Sequence, residues 1–330
     1  MNVLKVVSVV VPCYNEEKSI ELFYSVVNPV LKEIEGIDYE FIYVNDGSKD
    51  LTELKMKELS KKESNVRYIS FSRNFGKEAA MLAGIEAAYG DAVVLMDVDL
   101  QDPPSLLPQM IDDWLIGGYD VVYTRRSTRS GEPPIRSWFA KQFYKLINNM
   151  SDVQIVDGAR DYRLMDRKAV DSFLRLKERN RFAKGLFMWV GYNSKCIEFE
   201  NVERAVGNSS WSFWKLVHYA IDGIVSFTIS PLRWATYFGF FTASSAFFYM
   251  FYVIFSKLLF GNPVSGYSSI VSIILFFGGI QLIFLGIIGE YIGRIFIEVK
   301  ARPNYIVKEK STNKIAESVN KRKIGVVNKG

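Results

Sequence analysis

Apolar positions in the first two thirds of the chain fall into short runs separated by longer amphipathic stretches. The runs at 6–11, 39–44, 66–71, 92–96 and 120–123 are rich in Val, Ile, Phe and Tyr, and the first four stop at Pro12, Asn45, Ser72 and Asp97. Short apolar runs bounded by turn residues predict strands covered on both faces. The intervening spacing predicts helices over roughly 19–35, with Pro29 a kink, then up to about 62, 78–89 and 105–115. Ser48 or Asp50 is placed to cap the second of these. Strands alternating with helices of this length build βαβ units and a mostly parallel sheet.

In such sheets ligands sit beyond the carboxyl ends of the strands. Four polar clusters fall there: Tyr14–Glu16, Asn45–Ser48, Arg73–Lys77 and Asp97–Asp102. Four clusters on one rim predict a site for a polar, phosphorylated ligand, with Lys77 among its cations. The last cluster is the most informative, since Asp97, Asp99 and Asp102 flank Gln101 just before Pro103-Pro104. Residues two apart on an extended segment point the same way, so Asp97 and Asp99 converge if the strand continues through Val98. Two such carboxylates favour a cation between them, and oxygen-only ligands favour Mg²⁺ or Mn²⁺. A solvated acidic turn is the alternative reading of Asp-x-Asp alone.

From Thr124 the pattern changes. Arg125, Arg126, Arg129 and Arg136 crowd a loop-like segment, and the stretch 137–150 is amphipathic and aromatic. The arginines form either a solvated basic loop or a phosphate clamp, because guanidinium binds phosphate through a bidentate fork. The stretch 156–164 brings Asp157 and Asp161 to another predicted strand, either as site residues or as partners in structural ion pairs.

The last third is different again. Residues 235–256 and 264–289 carry no charge, and each stretch exceeds the roughly 20 residues that cross a bilayer core. Two antiparallel spanning helices are therefore expected. Arg233 before them and Arg294, Lys300 and Arg302 after them place both termini in the cytoplasm. Residues 211–232 suit an interfacial helix. The expected organisation is a catalytic domain over 1–210, this helix, a hairpin over 233–297 and a flexible basic tail over 298–330. Residues 294–330 hold ten Lys/Arg against three Glu, so the remaining chain is near neutral despite the net charge of +5, which argues against nucleic acid as a partner. Cys13 and Cys196 provide no disulfide framework, and the single His218 excludes a histidine metal cluster. The run 6–11 is too short for a signal peptide core.

With these residues in view, the chain resembles family 2 glycosyltransferases. Within them it is similar to bacterial polyprenyl-phosphate (bactoprenol) glycosyltransferases, relatives of dolichol-phosphate mannose synthase. The resemblance is carried by VSVVVPCYNEE, YVNDGSKD, FSRNFGKEAA, LMDVDLQDPP, ARDYRLMDR, ERNRFAKG, RAVGNSSWSFWKL and GEYIGRIFIEVKARPNY. It implies a GT-A type, Rossmann-like nucleotide-sugar fold. Pro12, Tyr14, Glu16 and Asp46 would hold the nucleoside. Asp97 and Asp99 would face the metal and diphosphate, with Asp99 the more direct catalytic contributor and Gln101 nearby. Arg204 would close over the phosphates. Asp161, with Asp157 as rival, lies where the family is thought to supply a base. Two departures stand out: Asn45 replaces the first Asp of the common Asp-Asp-Gly-Ser, and Arg160 stands where many relatives have Gly. The resemblance also implies a homo-oligomer, a tetramer by family, in the plasma or inner membrane.

The implied reaction moves a sugar from a nucleoside diphosphate sugar, a UDP-sugar first, to polyprenyl phosphate, for modification of a cell-envelope glycan. Glucose is the first choice of sugar. The acceptor phosphate is largely ionised at neutral pH, so a base is needed less than cations that admit one anion beside another. Arg125, Arg126 and Arg136 are the candidates for that task. A hydroxyl-directed or processive glycosyltransferase of the same fold is the enzymatic rival, although no Gln-x-x-Arg-Trp stretch is present. A non-catalytic membrane scaffold is the other.

Overall fold

The computed structural model describes residues 4–127, 148, 156, 158–179, 181–200, 225, 228–260 and 266–311. Their strands are β1 (Lys5–Cys13), β2 (Ile37–Asn45), β3 (Val66–Phe71), β4 (Ala92–Leu95), β5 (Val121–Arg126), β6 (Ala159–Asp166), β7 (Ser194–Phe199) and β8 (Val307–Lys310). Their helices are α1 (Ser19–Lys32), α2 (Thr52–Lys62), α3 (Lys77–Ala87), α4 (Leu107–Leu115), α5 (Arg167–Arg175), α6 (Ala183–Trp189), α7 (Ser230–Phe260) and α8 (Tyr267–Lys300).

The described strands form one sheet in the order β7-β5-β6-β4-β1-β2-β3-β8. β1 pairs parallel with β2 and β4, β2 with β3, and β5 with β7. This is the expected GT-A-like, mostly parallel α/β sheet. β6 runs antiparallel between β4 and β5, and β8 runs antiparallel to β3. Alternation along each strand feeds two cores. Val7, Val9, Val11, Phe41 and Tyr43 pack with α1, α2 and α4 on one face. Val10, Ile42, Val44, Val93 and Leu95 pack with α3, α5 and α6 on the other. Each fully buried aliphatic side chain contributes roughly 1.5–3 kcal/mol. α3 lies so close to the sheet that a Cβ at Gly84 would meet Val10 Cγ1 at 2.1 Å.

Four sequence expectations need correction. β4 ends at Leu95, and the chain turns at Val98–Asp99 instead of running extended through Val98. The backbone N–H of Asp97 donates to Asp102 Oδ2 at 3.3 Å, and Leu100 takes a φ of 56°, which closes the turn. β5 runs on through Arg125 and Arg126, which therefore lie on a strand end and not in a loop, because they still pair with β7. The apolar helices α7 and α8 are longer than the uncharged stretches 235–256 and 264–289. Finally, part of the expected flexible tail is an edge strand, since β8 pairs with β3. The interfacial helix over 211–232 lies almost wholly outside the described residues, with only isolated positions described before α7.

Candidate active site

The rim at the carboxyl ends of β1, β2, β3 and β4 is cross-braced by its own polar clusters. After β1, the N–H of Asn15 donates to Ser48 Oγ at 2.9 Å, and Asn15 Oδ1 accepts from the N–H of Lys49 at 2.9 Å. The N–H of Glu16 donates to Thr52 Oγ1 at 2.8 Å, and Glu16 Oε2 accepts from Ser19 Oγ at 2.6 Å. Pro12 is half-buried in β1 beside Val44, whereas Tyr14 is 43% exposed. Asn45, the departure from Asp, is fully buried and donates to Ser70 Oγ at 2.8 Å.

Asp46 accepts the backbone N–H groups of Phe75 at 2.6 Å and Gly76 at 2.9 Å. Burial raises its pKa, and those two N–H groups pull it back. Its carboxylate thus shapes the loop that delivers Lys77 to the first position of α3. Beside it Gly47 has a φ of 63°, and a Cβ there would meet the carbonyl carbon of Arg73 at 2.2 Å, so the two loops require glycine.

β6 reaches the same rim because it runs the other way. Leu95 pairs with Arg163, so continuing that antiparallel register by two residues sets Asp97 opposite Asp161. Lys77 Nζ bridges them, 2.7 Å from Asp97 Oδ1 and 2.7 Å from Asp161 Oδ2. Arg160 Nε donates to Asp102 Oδ1 at 3.1 Å, and its NH2 nitrogen lies 3.7 Å from Asp97 Oδ2. Below them Arg163 is buried, donates to the carbonyl of Arg160 at 2.8 Å and covers the Phe187 ring at 3.8 Å. Burial lowers its pKa to about 10, so it stays charged at neutral pH.

Crowding by neighbouring groups strips water from Asp161 and Lys77 and works against both charges, but each outweighs it for the other. Asp161 is held well below the usual carboxylate range by Lys77, Lys184 and Arg163, while Lys77 is held above the usual lysine range by Asp161 and Asp97. Burial and Asp97 push Asp102 up to about 6, against the pull of Arg160. Burial and then Asp161 push Glu78 up to about 7.

The structure therefore gathers Lys77, Asp97 and Asp161 into one cluster. Asp99 Oδ1 accepts from the N–H of Gln101 at 3.1 Å, and Gln101 Oε1 accepts from Arg126 at 3.2 Å, which links the acidic turn to β5. Arg125 pairs with Glu198. Asp157, Arg136 and Arg204 lie outside the described residues. Glu78 and Lys184 stand outside the residues that the sequence pattern singles out, and Arg160 stands out there only as a departure from Gly. The available signal for Lys184 was a lysine set among Ala183, Gly185, Leu186 and Phe187, all buried.

The donor set suits a divalent ion completed by substrate. Among the described residues no group of three or more His, Cys, Asp or Glu could hold an ion by itself. Mg²⁺ and Mn²⁺ are commonly held by one or two carboxylates, with water and phosphate oxygens filling the rest, and Asp97 with Asp99 offers that chemistry.

An open α/β sheet whose rim carries an acidic turn and bridging cations, followed in the chain by two long apolar helices, defines the class: an α/β protein with a charged, polar site at the carboxyl ends of its strands. Residues 8–174 match Glycosyl transferase family 2, and residues 230–295 match the GtrB C-terminal hairpin. The chain belongs to glycosyl transferase family 2 and is a glycosyltransferase. It is 46% identical over 303 residues to the bactoprenol glucosyl transferase of Shigella phage SfII, covering 92% of this chain and 97% of that protein. It is 44% identical to the prophage bactoprenol glucosyl transferase homolog of Escherichia coli K12, covering 92% and 98%. Glucosyl-3-phosphoglycerate synthase from Mycobacterium tuberculosis, solved with Mn²⁺, UDP-glucose and phosphoglyceric acid, is a more distant likeness. It is 22% identical, covers 67% of this chain and 78% of that one, and has a TM-score of 0.44, too low to bear on the site.

Proposed function

We propose that this chain transfers a hexose, glucose first, from a UDP-sugar to polyprenyl phosphate at the cytoplasmic face of a membrane, with inversion at the anomeric carbon. The observation that carries the reading is the end-to-end similarity to bactoprenol glucosyl transferase, 92% of this chain against 97% of that protein. The clustered rim supports it, because the proposed donor and acceptor are both phosphorylated.

Asp97 and Asp99 would hold Mg²⁺ or Mn²⁺, which when bound offsets the charge developing on the leaving diphosphate. Lys77 and Arg160 bring positive charge to the same rim, where the diphosphate would lie. Pro12, Tyr14, Glu16 and Gln101 line the same rim for the donor, and Arg204 is assigned to its phosphates. Asp161 is a poor proton acceptor while lysines hold its pKa low. That is no obstacle, since a phosphate monoester with a second pKa of about 6 is already largely ionised at neutral pH. Asp161 then serves to orient Lys77, and Asp157 remains the alternative base. Arg125, Arg126 and Arg136 are assigned to the acceptor phosphate, through the bidentate geometry guanidinium allows.

The hairpin supports a membrane location. One stretch, Phe276–Lys300, is long and apolar enough to cross a membrane by length and composition. Large apolar side chains on both helices face outward, among them Phe240 at 76%, Phe248 at 71% and Leu282 at 70% exposure. We assign α7 and α8 as two spans with both termini cytoplasmic, residues 1–210 as the catalytic domain and 211–232 as an interfacial helix. Anchoring at the bilayer raises the effective concentration of a lipid acceptor without new contacts. Oligomerisation, to a tetramer, is part of the same reading.

The test is incubation of membranes holding the protein with polyprenyl phosphate, Mg²⁺ or Mn²⁺ and a panel of radiolabelled sugar nucleotides. Label from UDP-glucose should enter the organic-extractable fraction. Label confined to polymer would favour a hydroxyl acceptor, and no label from any donor would defeat the reading.

A further inference from the structure

Lys77 does more than line the rim. Its ammonium lies 2.7 and 2.9 Å from the two oxygens of Asp97, so it takes up that carboxylate on both sides, and it lies 2.7 Å from Asp161. The backbone behind it is fixed, because Asp46 holds the N–H groups of Phe75 and Gly76. The side chain itself is 44% exposed, against 20% for Asp97 and 19% for Asp161, so the stem has room to swing. The carboxylates it bridges are not equally dependent on it. Lys184 and Arg163 also act on Asp161, whereas among the described residues the second cation near Asp97 is Arg160, at 3.7 Å.

A divalent ion bound to Asp97 would stand within a few ångströms of this ammonium, where repulsion between like charges is largest. The two cations compete for one carboxylate. The surrounding cluster does little to relieve that competition, since Arg163 and Lys184 act on Asp161 and Arg160 lies closer to Asp102, at 3.1 Å, than to Asp97, at 3.7 Å. A diphosphate changes the balance: it supplies oxygens to the ion and a new anionic partner to the displaced lysine.

We propose that Lys77 is the resident counter-cation of Asp97, which excludes a divalent ion until a nucleoside diphosphate arrives to take over the lysine. The inference rests on the donor reading above and adds an order to it: the ion is held weakly by the protein alone and well together with the nucleotide. Lys77 thus acts on the ion through Asp97, as a positioning residue.

The experiment is Mn²⁺ titration of the purified full-length protein in detergent, read from the free-ion electron paramagnetic resonance signal, with and without UDP. Removing one unit positive charge in contact with Asp97 should tighten Mn²⁺ binding without UDP by about tenfold or more in Lys77→Met. The gain in Mn²⁺ affinity from UDP should shrink in the same variant, while Lys77→Arg should stay close to wild type. Lys77→Gln, with melting curves for each variant, guards against a folding defect, and damage of that kind would weaken binding and not tighten it. Equal Mn²⁺ affinity of wild type and both neutral variants without UDP would overturn the proposal while leaving the donor reading intact. Failure of the wild type to take up Mn²⁺ even with UDP would overturn both.

Discussion

Glu78 stands beside Lys77, and its Oε2 accepts the backbone N–H of Ala183 at 3.1 Å, so it ties α3 to the start of α6. Its pKa rises from 4.5 to about 7, through burial first and Asp161 second. Across that window the native chain keeps a proton that the unfolded chain has released, so the contribution of Glu78 to stability falls as pH rises to 7 and is level above it. Glu78→Gln keeps an acceptor for Ala183 and removes the titration. It should match wild type near pH 4.5 and exceed it at pH 8 by on the order of 1 kcal/mol. Thermal melts at the two pH values read this directly, and a variant less stable at pH 8 contradicts it. Asp161 has the opposite sign: its pKa is depressed, so its stabilisation is present above the ordinary Asp range and is lost as pH falls below it. In catalysis the two acidic positions separate differently. Asp99→Asn should cost about 100-fold or more in kcat, as removal of a group that stabilises transition-state charge does. Asp161→Asn should cost less, because an ionised acceptor needs no base. Equal losses with acceptor binding intact would count against that ordering.

The loop between β3 and α3 is an element whose conformation depends on one glycine and one carboxylate. Gly47→Ala would combine a φ of 63° with a Cβ 2.2 Å from the Arg73 backbone. Strain of this kind costs about 1–3 kcal/mol, with the steric overlap added to it. The expected outcome is a lower melting temperature together with weakened nucleotide binding, because the same loop aims Lys77; calorimetry with UDP measures both. The sequence announces this loop and its neighbour well, since Phe-Gly-Lys after β3 and Asn-Asp-Gly-Ser after β2 carry their own turn chemistry. The same holds for the rim, where each strand stops at a polar cluster. Other parts were not legible, for physical reasons. The early end of β4 depends on Leu100 at positive φ and on Asp102 reaching back to Asp97, and neither leaves a mark in the hydrophobic pattern. The direction of β6 depends on which neighbours it finds, so its residues 159–166 read as a strand without revealing that Asp161 would face Asp97. β8 is exposed at all four positions, so it has no apolar alternation to betray it.

At the scale of the whole molecule, β8 means that the α/β unit is not complete before the hairpin begins. After α8 the chain returns along the edge of β3: the N–H of Ser72 donates to the carbonyl of Ile306 at 3.0 Å, and that of Ser311 to the carbonyl of Tyr68 at 3.0 Å. Tyr305 stacks on Phe71 at 4.8 Å and bonds Glu86, and Glu309 accepts from Tyr68 and Lys57 at 2.6 and 2.7 Å. At the end of α8, Glu298 accepts the N–H of Arg179 at 2.7 Å, on the segment that leads to Lys184. The end of α8 is thus tied to the segment before Lys184, and the chain that follows it is tied to β3, which leads to Lys77. Without this return, β3 would present an open edge, which invites pairing with another chain. A chain cut at residue 228 should therefore lose more than its membrane anchor. It should unfold at lower temperature and self-associate more than a chain in which a flexible linker replaces the hairpin and restores residues 301–311. The stacked aromatic pair alone adds about 0.5–1.5 kcal/mol beyond its buried area, and the ladder and ion pairs of β8 act in the same direction. Melting curves with light scattering compare the two, and an equally stable, equally monomeric cut chain would show that the β8 edge is dispensable.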